Sequence, residues 1–238
     1  MISSLAIIAF AALIHASFQL SVSVFTLLSG HAIGAKSSHS RVVRLTTSFL
    51  FGTLVMTTLL LTFSAFVFQH AFQGTIPPIV WAAACGLLLG LGVAVWAFYY
   101  RKEKGTSLWL PRGIAYYLSN RTKATKDSAE AFGLGLSSVV GEILFVLAPI
   151  IVAALALTQL EPMWQLAGVG IYTFISLLAL LTVYSLVGSG HKLSRIQKWR
   201  EDNKRFLQIT AGGGLLILGF YIYVDQIMAT NVLAYGGF

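Results

Sequence analysis

The sequence predicts an all-α polytopic membrane protein with six transmembrane helices, arranged as two inverted repeats of three helices each. Three observations carry this prediction. Of the 238 residues, 57% are hydrophobic and only 10% are charged, and the mean hydropathy of +0.80 is far above that of a soluble domain. Six apolar stretches are each long enough to cross about 30 Å of hydrocarbon. The segments between them alternate between basic and neutral, which sets an orientation.

The six predicted spans are apolar on all faces, so lipid or neighbouring helices must surround each of them. The first contains "MISSLAIIAF" and lacks the positively charged n-region of a secretory signal. The third contains the single cysteine, Cys85, which cannot form an internal disulfide or a two-cysteine metal site. The spans are predicted at 4–28, 46–70, 78–100, 131–157, 164–188 and 207–228.

All sixteen Lys and Arg residues lie in the first, third and fifth loops. Because cytoplasmic loops collect Lys and Arg, these loops are expected in the cytoplasm and both termini on the exterior of a plasma (inner) membrane. The net charge of +8 then favours contact with anionic lipid head groups. A nucleic-acid partner is not expected, since no aromatic residues interleave with the basic ones in a binding motif.

The chain divides into a first transmembrane repeat at 1–100, a basic cytoplasmic loop at 101–130 and a second transmembrane repeat at 131–238. Three spans before and three after a cytoplasmic loop give the two halves opposite orientations, which is the topology of inverted repeats. The segment "CGLLLGLGVAVWAFYY" closes the first half and "GGLLILGFYIYV" closes the second, and both are Gly-Leu-Leu runs that end in aromatic residues.

Short segments of both halves resemble a known family. "SVFTLLSG" at 23–30 and "LTTSFLFG" at 45–52 resemble the beginning of the CcdA/DsbD-type membrane domains, and "AFGLGLSSVVGEIL" at 131–144 resembles their fourth helix. Those domains group with the LysE-like exporters, so the resemblance implies a three-plus-three inverted-repeat scaffold. Where the family pattern has its two redox cysteines, this chain has Ser23 and Val139, neither of which can exchange disulfides. Transmembrane thiol electron transfer is therefore excluded.

Glu142 lies near the middle of predicted span four, in "SSVVGEILFVLAPI", where a carboxylate needs a partner, a proton or water. Span one supplies polar residues at helical spacing, because His15, Gln19 and Ser23 stand at i, i+4 and i+8 and share one face. Spans one and four hold equivalent places in the two halves. We therefore expect a midplane site between them, with a direct contact between His15 and Glu142.

Other residues of span four complete the expected site. Ser138 lies one turn before Glu142 and joins the expected substrate- or ion-binding set, and Gly141 and Pro149 are expected to kink or gate the helix. The polar residues equally suit a structural role, in which a buried pair of Glu142 and His15 only fixes helix register. Span five offers further polar lining in Tyr172, Thr173 and Ser176.

The expected function is transport of a small solute or cation, with proton coupling through the buried carboxylate and imidazole. The alternative is a non-transporting membrane subunit that binds a partner protein. An enzyme is not expected, since phosphate-binding loops, nucleophile elbows and zinc-protease motifs are missing, and the residues indicate no cofactor and identify no metal. Expected partners are membrane lipids and the solute or cation, together with a second copy of the chain or another membrane protein.

Overall fold

The computed structural model describes residues 1–18, 20–34, 39–73, 75–98, 112–189 and 193–228. These residues form eleven α-helices and a final π-helical turn, with no β-strand among them. Gln19 of the expected site lies outside the described residues. The helices are α1 (Ile2–Ser17), α2 (Leu20–Gly34), α3 (His39–Phe72), α4 (Pro78–Phe98), α5 (Arg112–Ala124), α6 (Ser128–Gly141), α7 (Ile143–Thr158), α8 (Pro162–Ser176), α9 (Leu178–Gly188), α10 (Leu193–Asp202), α11 (Lys204–Ile222) and the π-turn Tyr223–Met228.

Three helices are long and apolar enough to cross a membrane unaided: α3, α4 and α11 with its π-turn. Three further pairs qualify together but are bent at a short break, by 47° between α1 and α2, 80° between α6 and α7, and 50° between α8 and α9. If each bent pair is one span, there are six, numbered one to six in chain order. The all-helical class is thereby confirmed, the apolar helices fit a membrane-embedded protein, and the bends are a feature that the apolar patterns do not predict.

Helix boundaries follow local sequence signals. Asp127 caps α6 by accepting a hydrogen bond from the Glu130 backbone N–H at 2.9 Å, and Glu130 Oε2 accepts one from the Lys126 N–H at 2.7 Å. The first bond is the usual N-cap bond to N3, and the second resembles a capping box but reaches the N–H of the residue before the N-cap. Pro78 and Pro162 begin α4 and α8, where a missing N–H costs nothing. The helix of span four therefore begins at Ser128, three residues before its predicted start at residue 131.

Glycines allow two helix pairs to approach closely. A Cβ at Gly52 of α3 would overlap the carbonyl oxygen of Phe132 in α6, and a Cβ at Gly135 of α6 would overlap the carbonyl oxygen of Phe49 in α3. Helices α4 and α11 meet at a second such contact, where a Cβ on Gly92 would lie 3.1 Å from the Gly212 carbonyl oxygen. Small residues at these crossings bring the backbones together, which is how membrane helices gain packing energy without a hydrophobic driving force.

The centre of the molecule is where α1 and α7 pack against each other. Ile7, Ile8 and Ala11 of α1 are buried, and so is the whole run from Val152 to Leu157 of α7. Helix α8 covers another side of α1. Spans one and four thus meet, as their equivalent places in the two halves predict.

Two basic helices flank the spans. Helix α5 packs against α2 and α6, and α10 packs against α2 and α11. The guanidinium of Arg41, at the start of α3, donates a hydrogen bond to the Lys126 carbonyl at 3.3 Å, which joins the first basic loop to the third. Because it contains α5, the third loop is partly helical.

Candidate functional site at the helix breaks

Glu142 occupies the break in span four. It stands between the last residue of α6, Gly141, and the first residue of α7, Ile143, and its side chain is only 3% exposed. Its backbone N–H still bonds to the carbonyls of Ser138 and Val139, at 3.2 and 3.1 Å, while the chain turns by 80°. Glu142 is the N-cap of α7 and also the C-cap of α6. The positive end of the α7 dipole favours a carboxylate at this position, whereas the negative end of the α6 dipole opposes it.

A group of oxygen atoms surrounds the carboxylate. Ser21 Oγ of α2 donates a hydrogen bond to Glu142 Oε2 at 3.3 Å and lies 3.3 Å from Ser138 Oγ. Ser138 is completely buried, and its own O–H donates to the Gly135 carbonyl at 2.8 Å. Spans one and four are thus joined through side-chain oxygens at the break, and Ser138, predicted as a binding residue, lies beside a small cavity at this break without lining it.

All three breaks meet at one small cavity. It measures about 20 Å³, which is space for about one water molecule. The break between α1 and α2 contributes Phe18, the break in span four contributes Glu142, and the break in span five contributes Leu177. The unbroken α3 closes one side with Thr53 and Thr57. The full lining consists of His15, Ala16, Phe18, Ser21, Val22, Thr53, Thr57, Glu142, Ser176, Leu177, Ala179 and Leu180.

His15 lines this cavity but bonds elsewhere. Its Nδ1 lies 2.9 Å from the Tyr172 hydroxyl oxygen, and the two rings meet edge to face with centroids 5.7 Å apart. Among the described residues, no hydrogen bond joins His15 to Glu142, although both side chains line this cavity. The bend at Phe18 also places His15 on a different helix from the hydroxyls of α2. The stripe expected on one continuous face is split between two helices.

The other predicted residues are placed as follows. Ser23 lies on α2 and accepts a hydrogen bond at 2.8 Å from the guanidinium of Arg200 in α10, rather than lining the small cavity. Gly141 directly precedes the bend of span four. Pro149 lies within the continuous helix α7, so the bend falls at Glu142 and not at the proline.

Three polar residues of the cavity were missed by the sequence reasoning: Ser21, Thr53 and Thr57. The two threonines stand one turn apart on α3 and are 3% and 1% exposed. The signal was present in "GTLVMTTLL", where an i, i+4 pair of threonines lies within an apolar span, on one helical face. Ser176, suggested as extra lining from span five, does line the cavity.

A second, larger cavity adjoins the first. It measures about 600 Å³, within the usual range for pockets that hold small molecules. Ala16, Val22 and Ala179 line both cavities, so the two spaces adjoin at these small or medium side chains. The walls are largely apolar apart from Arg195 and Arg200 of α10. The remaining wall is formed by Ser17, Thr182, Val183, Leu186, Ile196, Trp199 and Leu207.

Comparison with known proteins does not assign the chain to a family. No protein-family model matches the chain, and no curated protein or solved structure is significantly similar to it. Within the described part of the chain, no three His, Cys, Asp or Glu side chains come together as they would around a transition metal. The polar groups considered at the site are therefore its carboxylate and hydroxyl oxygens.

Proposed function

We propose that the protein is a small secondary transporter or exporter whose site lies where the three bent spans meet. The observation that carries the proposal is the coincidence of three helix breaks at one cavity that contains a 3% exposed carboxylate. Transporters build their sites near the bilayer midplane from discontinuous helices, because unwound backbone and helix ends offer polar groups there. Buried ionisable residues in such helices mark substrate and ion pathways.

The pattern of helix contacts supports an inverted repeat. Span one packs on span four, and span three packs on span six, so each of these spans faces its counterpart in the other half. Span two packs on span four, and its counterpart, span five, packs on span one. The pattern therefore remains the same when the two halves are exchanged. Bends in both span one and span four, at equivalent places, support the same proposal.

The proposed orientation has the basic loops in the cytoplasm. The hydrogen bond from Arg41 to the Lys126 carbonyl places the first and third loops at one end of the molecule. Helix α10, from the fifth loop, packs on α2, as α5 from the third loop also does. Because Lys and Arg accumulate on the cytoplasmic side, this shared end is proposed to be cytoplasmic, in a plasma membrane.

The two cavities suit different species. The 20 Å³ cavity accepts one water-sized species beside Glu142, whereas the adjoining 600 Å³ cavity is large enough for an organic solute. Arg195 and Arg200 in the wall of the large cavity repel cations and attract anions. We therefore propose a neutral or anionic solute in the large cavity and the coupling ion beside Glu142.

Flux measurements test this proposal. Purified protein is reconstituted in liposomes, and uptake of radiolabelled amino acids and short-chain carboxylates is measured for wild type, Glu142→Gln and Glu161→Gln. Glu161 is exposed at the start of α8 and serves as a matched control. Flux in wild type and Glu161→Gln, with at least about a tenfold loss in folded Glu142→Gln, is expected.

A non-transporting membrane subunit is the second candidate. The bond between His15 and Tyr172 favours it, because a buried pair across α1 and α8 can serve packing alone. Absence of flux for every solute in wild type, together with a lower melting temperature or loss of a co-purifying protein in Glu142→Gln, would favour this candidate over the transporter.

A further inference from the structure

Two hydroxyls that line the small cavity can only accept hydrogen bonds from an occupant. Thr53 donates its O–H to the Phe49 carbonyl at 3.1 Å, and Ser176 donates to the Thr173 carbonyl at 3.0 Å. A hydroxyl has one donor and two acceptor lone pairs. With their protons committed to backbone carbonyls, both hydroxyls can only accept from the cavity. The Glu142 carboxylate adds further acceptor sites, so the lining favours a positively charged occupant.

Thr57 is the exception among the threonines of α3. The other five each make a hydrogen bond: Thr46, Thr47, Thr53, Thr58 and Thr62. Thr57 is 1% exposed and lines the cavity, yet its Oγ1 has no hydrogen-bond partner among the described residues. A buried hydroxyl without a partner is costly, and such groups point to an unseen ligand, ion or water.

We propose that this cavity binds a single dehydrated Na⁺ ion between the carboxylate of Glu142 and the hydroxyl of Thr57, with the hydroxyls of Thr53 and Ser176 as further ligands. The binding of Na⁺ stands on the cavity alone, and its role as the coupling ion rests on the proposed transport function.

Charge and size select Na⁺. One carboxylate neutralises a single positive charge, whereas Ca²⁺ takes six to eight oxygen ligands, usually with several carboxylates, and Mg²⁺ usually keeps several waters. A space of about 20 Å³ excludes a hydrated ion or an organic cation. A proton would need only the carboxylate and would leave the acceptor hydroxyls and Thr57 without a role. K⁺ is larger and needs a wider cage of oxygens.

The proposed ligands come from three different spans. Thr57 and Thr53 lie on the straight α3, Glu142 at the bend of span four, and Ser176 at the bend of span five. An ion held among them draws the bent spans towards α3 and favours the conformation in which the cavity is closed. A ligand shifts a conformational equilibrium only through such differential binding.

The test is the thermal stability of the full-length protein in a neutral detergent at constant ionic strength. NaCl is substituted stepwise for choline chloride, and separately for KCl. We expect the melting temperature of wild type to rise and saturate with Na⁺, but not with choline or with K⁺ at equal concentration. Thr57→Val and Glu142→Gln should each weaken the apparent Na⁺ affinity by at least about tenfold.

Thr62→Val is the matched control. Thr62 lies on the same helix but bonds only to carbonyls of its own preceding turn, and it does not line the cavity. Its Na⁺ response should equal that of wild type. Absence of a Na⁺-specific shift in wild type, an equal shift with K⁺, or a full Na⁺ response in folded Thr57→Val would each overturn the proposal.

The binding test separates this proposal from the proposed function, since it needs no flux. Na⁺ binding without any solute flux would retain the ion site and reject the transporter. Solute flux that vanishes in Glu142→Gln but is unchanged when choline replaces Na⁺ would retain the transporter and reject Na⁺ as its coupling ion.

Discussion

The middle of α6 and the break that follows its C-terminal end differ sharply in how they are packed. At Gly135 the helix touches α3 backbone to backbone, with no room for a single methyl group on either side. Seven residues later, at Glu142, the same span stops, bends by 80° and borders a cavity. Close packing at one point holds the helix in place, so that a break two turns away can keep a polar space open. A tightly packed segment and a cavity therefore lie two turns apart on the same span.

The largest expected effect comes from disturbing the glycine contact. Gly52→Ala should lower the free energy of unfolding by about 3 kcal/mol, because the new methyl group meets the Phe132 carbonyl rather than a side chain that could move. Chemical unfolding in detergent measures this change in the free energy of unfolding. Gly133→Ala on α6 is the control, since nothing lies within 4 Å of its Cβ position, and it should be neutral or slightly stabilising. Equal stability of the two variants would show that α3 and α6 are not held by this contact.

A smaller loss is expected at the break itself. Ser21→Ala removes the O–H that donates to Glu142 Oε2, and removing a donor from a buried carboxylate should cost about 1–3 kcal/mol. The same unfolding measurement applies. Ser185→Ala is the control, because that hydroxyl is exposed and bonds only within its own helix, and it should change stability by less than about 0.5 kcal/mol. If Ser21→Ala matches this control, Ser21 does not support the carboxylate.

The smallest effect is expected at the packing pair. Tyr172→Phe removes the hydroxyl that lies 2.9 Å from His15 Nδ1 and should cost about 1 kcal/mol. Because Tyr172 does not line the small cavity, the Na⁺-induced rise in melting temperature should persist in this variant. A Na⁺ titration followed by thermal unfolding measures both quantities. Loss of the Na⁺ response would place the tyrosine and histidine within the ion site.

The membrane class and the buried carboxylate follow directly from composition and hydropathy, since a 20-residue apolar run leaves few alternatives. The bends do not. Leu177 stands in "ISLLALL", where nothing on either side distinguishes a bent helix from a straight one. Pro149, the strongest helix breaker of span four, lies in an unbroken helix, because membrane helices tolerate proline when neighbouring groups satisfy the freed backbone.

The side chains that contact the site residues could likewise not be predicted from the sequence. Helical spacing correctly places Ser138 beside Glu142 on one span, but it assumes that span one is continuous, and the bend at Phe18 separates His15 from α2. Thr53 and Thr57 join the site only through the packing of α3 against spans four and five. An apolar helix has no unique buried face in its sequence, so tertiary contacts decide which hydroxyls meet.

The length of α3 has a consequence for the surrounding lipid. Its 33 residues from Ser40 to Phe72 extend about 50 Å, against a hydrocarbon thickness of about 30 Å. Its charged residues, Arg41 and Arg44, lie in the first turns, and the remainder is uncharged. Such a helix accommodates its extra length by projecting its charged first turns beyond the hydrocarbon, by tilting or by thickening the bilayer around it. A thinner bilayer would therefore be expected to increase the tilt of the helix that carries Thr53 and Thr57.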